Sequence, residues 1–330
     1  MLVILVGPQD VVYLPVEQAV RAHGHHVLRY RTEKEFLDVP RALSNASVLY
    51  AAGSLPVPRA AMTDAPHLRA IISPYTGTEG FDETAASELG ILIGNGQLPE
   101  NYESMAEATI LMILACLYDL NGSQRRLRES LPNPLPPKAR MLKGKTVGLI
   151  GFGQIARAVL ERLAPWGAHF LIYTPRLRGP LPEHAKTASL DELLSSSDVV
   201  CVLAPLNAET RHMLDARRLA MLRPGSIVIN TSRGGIVDER ALHALAQRHH
   251  IAAVGLDVFE EEPLPADSPL RALDNAVLTP HTVGHTRETL DRLPEVGTQN
   301  VLRVLSGQPP LYIRNPQIVE QWMNRWANRG

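Results

Sequence analysis

The sequence Thr146-Val-Gly-Leu-Ile-Gly-Phe-Gly-Gln-Ile-Ala156 leads from a short apolar run, through a glycine-rich turn, into a segment with helical apolar spacing. Gly151 can form the tight turn, and Gly153 has no side chain that would keep a pyrophosphate away from the backbone. Ala156 is small enough for the helix to approach the strand. Because glycine turns are common, the motif indicates a dinucleotide site only through its position between a strand and an amphipathic helix.

The same alternation of apolar runs and helical patterns continues after this turn. Ser189, Asp215 and Asp238 each place a potential N-cap side chain where a helical pattern begins. Parallel strands joined by helices are typical of an α/β doubly wound (Rossmann) domain, which binds its dinucleotide at the carboxyl ends of the strands. Six strands are predicted in this part of the chain, at 146–150, 169–173, 199–203, 226–230, 252–256 and 276–279.

The first third of the chain has its own set of short strands, which predicts a second α/β domain. The segment from Thr286 to about Leu305 has a helical pattern, and we expect it to return to this domain. The sequence therefore predicts a smaller, discontinuous, flavodoxin-like substrate domain formed by 1–99 and 287–330, and a Rossmann cofactor domain formed by 100–286. Within the first third, strands are predicted at 3–6, 27–30, 48–51, 70–72 and 90–93, and a helix at 82–89.

Residues 102–120 form a long helical pattern that is more apolar than one buried face requires, so we expect a domain junction or a subunit interface to cover it. Proline removes an N–H and obstructs a helix. The following Leu131-Pro-Asn-Pro-Leu-Pro-Pro137 is therefore predicted to be an extended connector. Trp322 and Trp326 in the tail are expected to pack on the protein body or on a partner subunit.

The composition is that of an ordinary globular protein. Of the 330 residues, 45% are hydrophobic and 20% are charged, and the formal net charge is -1. Such a charge provides no electrostatic reason for binding a nucleic acid or an acidic membrane surface. Cys116 and Cys201 lie far apart in apolar runs, which favours buried thiols over a disulfide or a metal site.

Two apolar stretches bear on the location of the protein. Met1-Leu-Val-Ile-Leu-Val-Gly7 is short and lacks a basic leader and a cleavage site, which predicts a buried first strand instead of a signal peptide. The longest later stretch, 108–118, is shorter than the roughly 20 residues of a membrane span. We therefore expect a cytoplasmic protein without a membrane segment.

The end of the next strand, Tyr173-Thr-Pro-Arg176, bears on the choice of cofactor. An NAD enzyme usually carries an acidic residue about 20 residues after the glycine turn, where it binds the ribose 2′-hydroxyl. Thr174 stands in that region, with Arg176 and Arg178 close behind. Arginines without a carboxylate favour the 2′-phosphate of NADP, unless they only form a solvated loop face. The sequence predicts NADP or NAD, with NADP preferred.

Three segments that follow predicted strands carry residues suited to hydride transfer. Arg233 precedes two glycines, and its guanidinium can bind a carboxylate with paired hydrogen bonds. Reduction of a ketone needs a general acid for the developing alkoxide, a role that suits histidine and hence His281. A carboxylate such as Glu262 can orient an imidazole and favour its protonated form. Taken singly, these are ordinary surface or structural residues, and only the set indicates chemistry.

The chain resembles the D-isomer-specific 2-hydroxyacid dehydrogenases, which include the glyoxylate/hydroxypyruvate reductases. The resemblance covers nearly the whole chain and implies an exchange of hydride between a nicotinamide and a small D-2-hydroxy acid or 2-keto acid. It also implies an active site between two domains and a homodimer built largely on the cofactor domain, which would account for the apolar helix. The resemblance is densest in 144–156, 198–242, 255–264 and 279–286 and includes Pro205-Leu-Asn-Ala-Glu-Thr210 and Met221-Leu-Arg-Pro-Gly225.

This resemblance implies roles for individual residues. Arg233 matches the arginine that binds the substrate carboxylate, Glu262 the acidic partner, and His281 the proton donor. Asp257 matches a residue that faces the nicotinamide amide. The other expected cofactor contacts are Gly151, Gly153, Gln154, Ile155, Thr174, Arg176, Pro205, Thr210, Thr231, Ser232 and Gly284.

The substrate loop of the family is similar to Ser73-Pro-Tyr-Thr-Gly-Thr-Glu-Gly-Phe-Asp82. Backbone N–H groups near Thr76 and Gly77 would hold the substrate carboxylate opposite Arg233, so Tyr75, Thr76, Gly77, Arg233 and His281 are the predicted substrate-binding residues. Tyr75 stands where glycine is common, Glu79 stands where aspartate is common, and the segment after Ile93 lacks the usual Pro-Gly hinge. These departures bear on the identity of the substrate, since Tyr75 could narrow the pocket.

Two alternatives stay open on the sequence alone. One is a related oxidation on the same scaffold: Glu262 argues against formate, because formate-type sites generally lack the acidic partner of the histidine, whereas phosphite is compatible with all three residues. The other is a non-catalytic NAD(H)-binding regulator, which would need a peptide-binding surface. The sequence shows no sign of such a surface.

Overall fold

The computed structural model describes residues 1–177 and 179–327. The chain divides into two compact units. One consists of Met1–Glu100 together with the described residues from Thr286 onward, and the other is Asn101–His285.

The described residues form short strands and helices that alternate along most of the chain. The strands are β1 (Leu2–Val6), β2 (His26–Tyr30), β3 (Val48–Ala51), β4 (Ala70–Ile72), β5 (Leu92–Gly94), β6 (Thr146–Ile150), β7 (His169–Tyr173), β8 (Ala185–Thr187), β9 (Val199–Val202), β10 (Ser226–Asn230), β11 (Ile251–Leu256) and β12 (Ala276–Leu278). The helices are α1 (Asp10–Ala22), α2 (Glu33–Leu37), α3 (Arg59–Thr63), α4 (Glu83–Leu89), α5 (Pro99–Leu117), α6 (Leu120–Glu129), α7 (Gln154–Leu163), α8 (Leu190–Ser196), α9 (Ala216–Leu219), α10 (Glu239–Gln247), α11 (Arg287–Leu305) and α12 (Val319–Trp326).

The first unit is built on a parallel sheet which, in its described part, has five strands in the order β2-β1-β3-β4-β5. This is the flavodoxin-like strand order. Both faces of the sheet are covered, because β1, β3 and β4 consist almost entirely of buried apolar residues. The predicted flavodoxin-like α/β domain is therefore confirmed as a fold.

The C-terminal tail packs on this first unit. Helix α11 contacts α1, β3 and β4. Trp322 of α12 is fully buried, and its indole N–H donates to the carbonyl oxygen of Arg69 at 2.7 Å. The guanidinium of Arg69 lies 4.8 Å from the ring centroid of Trp326. Of the two expectations for the tryptophans, packing on the protein body is therefore correct.

The second unit contains a parallel sheet whose described strands number seven, in the order β12-β11-β10-β9-β6-β7-β8. The strand order reverses between β6 and β9, as it does in a doubly wound dinucleotide fold. Six of the strands correspond to the predicted ones, which confirms the Rossmann fold class. The seventh, β8, was not predicted, because Ala-Lys-Thr at this exposed edge is too short and too polar for an apolar run.

Three N-caps were predicted correctly. The side chains of Ser189, Asp215 and Asp238 accept the N–H groups of residues three positions further on, at 3.2, 2.8 and 2.9 Å. The predicted strand at 90–93 begins too early, because Gly90 has a φ of 70° and terminates α4 in the left-handed conformation. Glycine adopts this conformation at helix ends without strain.

The predicted helix at 102–120 is also only partly correct. Helix α5 ends at Leu117, and α6 begins after Asp119, whose φ is 48°. Among the described residues, no single helix is long and apolar enough to cross a membrane, and α5 and α6 meet that criterion only together, across a bend of 54°.

Candidate active site

The second unit brings three predicted segments to one edge of its sheet. Arg233 follows β10, Glu262 follows β11 and His281 follows β12, and these three strands are adjacent and parallel. The carboxyl ends of parallel strands lie at the same edge, which is where ligands bind in folds of this type. The glycine turn follows β6 at the same edge of the same sheet.

At this edge, a histidine and a glutamate form a hydrogen-bonded pair. His281 Nδ1 lies 2.6 Å from Glu262 Oε2. The other carboxylate oxygen, Glu262 Oε1, accepts the Phe259 N–H at 3.0 Å. The side chains of His281 and Glu262 remain 43% and 35% exposed. The imidazole is therefore oriented by the carboxylate and still accessible to a ligand.

The electrostatic environment keeps Glu262 ionised. Burial is the largest single influence and by itself would raise the pKa of Glu262. The hydrogen bonds with His281 and Phe259, and the positive charges of His281 and Arg233, outweigh it, so the pKa of Glu262 lies below its usual value. A carboxylate that stays ionised stabilises a protonated imidazole beside it.

Asp257 attaches the histidine loop to the end of β11. Its buried Oδ1 accepts the Thr279 hydroxyl at 2.6 Å and the N–H groups of Thr282 and Val283 at 3.0 and 3.1 Å. Between these attachment points, His281 has a φ of 57°, in the left-handed region that most side chains avoid. Such a conformation persists only where surrounding contacts enforce it. The sequence predicted Asp257 as a cofactor contact and did not reveal this attachment.

Arg233 stands in a turn that follows β10 and is held by one side chain. Asn230, the last residue of β10, donates from Nδ2 to the carbonyl oxygen of Arg233 at 3.0 Å, and its Oδ1 accepts both the N–H and the hydroxyl of Ser232. The Arg233 guanidinium donates to the carbonyl oxygen of Ser232 at 2.7 Å. Sequence reasoning missed Asn230. An asparagine at the end of an apolar strand is a usable signal, because a buried amide needs hydrogen-bond partners and Asn230 is buried.

Gly234 joins the arginine turn to the glutamate turn. A Cβ added at Gly234 would lie 1.9 Å from the carbonyl carbon of Phe259 and 2.0 Å from its oxygen, so the two backbones touch. Only glycine permits this approach. A Cβ at Gly235 would instead find ordinary contacts, the nearest at 3.4 Å from Leu206.

The glycine turn has the features that a dinucleotide requires. Gly151 has a φ of 95°, and an added Cβ would lie 2.7 Å from the carbonyl oxygen of Leu203. An added Cβ at Gly153 would meet no atom within 4 Å, so the backbone is open to a ligand there. Gln154 begins α7, which has ten residues, and Ala156 is buried. The open backbone and the helix N-terminus fit the pyrophosphate of a nicotinamide dinucleotide.

Other predicted cofactor residues are held in their own loops. Thr210 donates its hydroxyl to the carbonyl oxygen of Pro205 at 2.7 Å and accepts the Asn207 N–H at 2.8 Å, which closes that loop. Thr174 and Arg176 follow β7, with the Thr174 hydroxyl 3.4 Å from the carbonyl oxygen of Arg176. Arg178, the second arginine expected to favour the 2′-phosphate of NADP, lies outside the described residues.

Helix α5 supports two of the predicted positions. The Thr109 hydroxyl donates to the carbonyl oxygen of Met105 at 2.7 Å. The hydroxyls of Thr109 and Thr231 lie 2.9 Å apart, and because the Thr109 proton is already used, the Thr231 hydroxyl donates to Thr109. Ser104 donates to the carbonyl oxygen of Gly284 at 2.6 Å. Sequence reasoning missed Ser104 and Thr109, because α5 contains several other polar residues and no local signal distinguishes these two buried ones.

The predicted substrate loop belongs to the other compact unit. Asn95 donates from Nδ2 to the carbonyl oxygen of Thr76 at 2.8 Å, and the Gly96 N–H donates to the carbonyl oxygen of Tyr75 at 2.9 Å. A Cβ added at Gly53 would lie 1.8 Å from the carbonyl oxygen of Gly77. These anchors define the loop conformation, and the sequence did not identify them. Burial raises the pKa of Tyr75, so its hydroxyl stays neutral at physiological pH.

Comparison with known proteins assigns this chain to a family. The family model described as D-isomer specific 2-hydroxyacid dehydrogenase, NAD binding domain, matches residues 110–283. The chain belongs to the D-isomer specific 2-hydroxyacid dehydrogenase family. This membership makes it an NAD(P)-dependent oxidoreductase, and the resemblance noted in the sequence is confirmed.

Three members illustrate how far the similarity extends. The dehydrogenase is 33% identical to a glyoxylate reductase of Thermofilum pendens, over 78% of each chain. It is 32% identical to glyoxylate/hydroxypyruvate reductase B of Pectobacterium atrosepticum, over 95% of this chain and 99% of that one. The NADPH-dependent glyoxylate/hydroxypyruvate reductase of Sinorhizobium meliloti has a similar structure, with a TM-score of 0.79 and 27% identity over 95% of this chain and 97% of that one.

The contact between Gly234 and Phe259 yields a prediction with a matched control. Gly234→Ala must displace the glutamate turn, and overpacking of this kind costs about 1–3 kcal/mol. Gly235→Ala has room for its methyl group and is expected to be neutral or slightly stabilising, because alanine restricts the unfolded chain. Thermal unfolding of both variants measures the difference. Equal midpoints for the two would contradict the described packing.

Proposed function

We propose that this dehydrogenase reduces a small 2-keto acid, such as glyoxylate or hydroxypyruvate, to the corresponding 2-hydroxy acid, which has the D configuration where the product is chiral. The observation that carries the proposal is the 2.6 Å pair of His281 and Glu262 at the ligand-binding edge of the sheet. Relatives named glyoxylate reductase and glyoxylate/hydroxypyruvate reductase support this substrate class.

His281 acts as the general acid in this proposal. Reduction of a ketone places negative charge on its oxygen, and a proton donor within hydrogen-bond reach stabilises that charge. Glu262 binds Nδ1, which leaves Nε2 as the nitrogen that donates to the substrate oxygen. The same carboxylate stabilises the imidazolium before the proton is transferred.

Arg233 binds and polarises the substrate in this proposal. A guanidinium can bind a carboxylate with two hydrogen bonds, and the turn held by Asn230 limits the positions that it can adopt. Its charge also stabilises the developing alkoxide. In the other unit, the backbone N–H groups of Thr76 and Gly77 are assigned to the substrate carboxylate, with Tyr75 beside them as a determinant of substrate size.

The cofactor is assigned to the second unit. Gly151, Gly153 and the N-terminus of α7, with Gln154 and Ile155, would hold the pyrophosphate, and the nicotinamide supplies the hydride when the cofactor is bound. We infer that NADP is preferred over NAD, because Thr174 and Arg176 follow β7 where an NAD enzyme has an acidic residue. The remaining cofactor contacts are assigned to Pro205, Thr210, Thr231, Ser232, Asp257 and Gly284.

The division of labour between the two units follows from these assignments. The unit Asn101–His285 is the cofactor domain, and the other unit is the substrate domain.

The relatives named above are reductases of 2-keto acids, which does not favour phosphite oxidation or a regulatory protein. We propose the cytoplasm as the location.

We further propose a homodimer formed through α5, α6 and the proline connector. Leu127 and Leu135 are 84% and 91% exposed, which is costly for large apolar side chains unless a partner covers them. The other exposed large hydrophobic residues in this region are Leu111, Tyr118, Leu120, Leu131 and Met141. A second copy of this chain is the expected partner, as the family resemblance implies.

Initial rates with a small substrate panel test the proposed reaction. Purified protein is mixed with NADPH or NADH and with glyoxylate, hydroxypyruvate, pyruvate, phenylpyruvate or 2-ketoisocaproate. We expect rapid oxidation of NADPH with at least one small 2-keto acid, and slower oxidation of NADH. Nucleotide binding without turnover on any substrate would contradict the proposed reaction, and faster turnover with NADH would contradict the cofactor preference.

Two variants serve as controls for this panel. His281→Gln should bind NADPH normally and lose turnover, which excludes a contaminating reductase. Arg233→Ala removes charge-assisted hydrogen bonds of about 1.5–3 kcal/mol, so kcat/KM should fall roughly 10- to 100-fold. Normal kinetics in either variant would remove that residue from the mechanism.

The pH dependence of reduction tests the role of Glu262. Because the pKa of Glu262 is lowered, its carboxylate is ionised at neutral and alkaline pH and favours the proton on His281. Reduction needs that proton, so activity is lost as pH rises. Glu262→Gln removes the negative charge, and the alkaline limb of kcat/KM should move down by about one pH unit. Glu261→Gln is the control, and an unmoved limb in Glu262→Gln would refute the role.

Light scattering in solution tests the dimer. The wild-type protein should have the mass of two chains, because the exposed apolar surface is covered by a second copy. Replacing Leu127 and Leu135 together by glutamate places charges in that surface and should yield single chains. Leu311→Glu, at an exposed leucine of the other unit, should leave the mass unchanged. A wild-type mass of one chain would disprove the interface.

A further inference from the structure

The turn that carries Glu262 is clamped to the start of helix α10. The Glu260 N–H donates to Glu239 Oε1 at 2.5 Å, and the Glu239 N–H donates to Glu260 Oε1 at 3.1 Å. Each glutamate thus caps the backbone of the other. Two reciprocal hydrogen bonds constrain the distance between the two segments as well as their relative rotation.

Backbone packing holds the same turn as well. Gly234 touches the Phe259 carbonyl group, and a Cβ added there would lie 2.4 Å from the Glu260 nitrogen. Gly234 and Glu239 therefore both contact the peptide group between Phe259 and Glu260, at the start of the 259–262 turn. Because Glu262 is two residues beyond Glu260, its carboxylate can move little while both contacts persist.

Glu239 is an unusual residue for such a clamp, since it is half-buried and surrounded by other acidic groups. Burial is the main cause that raises the pKa of Glu239, and the negative charges of Glu260 and Glu262 also raise it. The hydrogen bond with the Glu260 backbone lowers this pKa but does not outweigh them. His212 Nε2 lies 3.3 Å from Glu260 Oε1. A surface cavity of about 530 Å³ adjoins the clamp, and its other titratable or charged lining residues are Asp238, Arg240 and His243.

We propose that Glu239 is a positioning residue for the proposed reaction: its carboxylate oxygen holds the Glu260 N–H and thereby keeps Glu262 on His281 Nδ1. This inference rests on the proposed function for its kinetic consequences, but its structural content is independent of turnover. Glu239 itself is assigned no contact with a reacting atom. Its effect passes through the 259–262 turn to the imidazole.

Kinetics of Glu239 variants test the proposal. Glu239→Ala removes the acceptor, so Glu262 moves off the imidazole. We expect kcat for 2-keto acid reduction to fall about 10- to 100-fold and the alkaline limb of kcat/KM to move down by about one pH unit. The dissociation constant for NADPH should be unchanged. Glu261→Ala removes an acidic side chain of the same run and should behave as the wild type.

Rescue by Glu239→Gln separates the hydrogen bond from the charge. The amide oxygen of glutamine can still accept the Glu260 N–H, so this variant should retain the wild-type pH profile. If the alkaline limb of kcat/KM moves equally far in Glu239→Gln and Glu239→Ala, the proposal is overturned, because loss of the Glu239 charge alone would then explain the shift. An unmoved limb in Glu239→Ala, with only a lower unfolding temperature, would reduce Glu239 to a structural residue.

An NMR titration distinguishes failure of this proposal from failure of the proposed function. The His281 imidazole signal, assigned by its absence in His281→Gln, should titrate at lower pH in Glu239→Ala than in the wild type or Glu239→Gln. This measurement needs no substrate, so it remains decisive if no 2-keto acid is reduced. If Glu239→Ala does not fold, Glu239→Asp provides the same test. The shorter side chain keeps the negative charge but moves the carboxylate oxygen away from the Glu260 N–H. An unmoved titration in the folded variant would overturn the proposal.

Discussion

Parallel pairing of β10, β11 and β12 is the constraint on which the site depends. Because the three strands run in the same direction side by side, the segments that follow them emerge at one edge of the sheet. Arg233, Glu262 and His281 are thus brought to one edge although up to 48 positions separate them in the sequence. The hydrogen bonds of the sheet hold this arrangement without any contribution from the three side chains.

Strand pairing determines where the segments after β10, β11 and β12 begin. Local contacts then determine the positions of their side chains. Gly234 presses the arginine turn against the Phe259 carbonyl group, and Asp257 ties the histidine loop to β11. The 2.6 Å contact between Glu262 and His281 follows from these attachments. Asp257 is buried and accepts three hydrogen bonds, so its replacement would leave the Thr279 hydroxyl and the N–H groups of Thr282 and Val283 without this acceptor. Rigidity here serves orientation, because a general acid must point at one oxygen.

The site shows how far sequence reasoning reaches. Arg233 and His281 could be singled out because arginine beside glycines and histidine after a strand are chemically distinctive, and the family resemblance supplied their roles. Asn230 and Glu239 escaped notice because asparagine and glutamate are ordinary residues at strand and helix ends. Asn230 acts on Ser232 and Arg233 within its own turn, whereas Glu239 contacts Glu260, which is 21 positions further along the chain. The edge strand β8 was missed for a related reason, since it is defined by its neighbour β7 and not by an apolar pattern.

The sequence by itself determined the α/β class, most of the strands, the helix starts at Ser189, Asp215 and Asp238, and the glycine turn. These features depend on local periodicity and on the conformational range of single residues, which are readable without coordinates. Only the tertiary structure decided the strand order, the close approach at Gly234 and the distance between Glu262 and His281. They arise from pairing and packing between segments far apart in the chain, and no local pattern encodes which atoms meet.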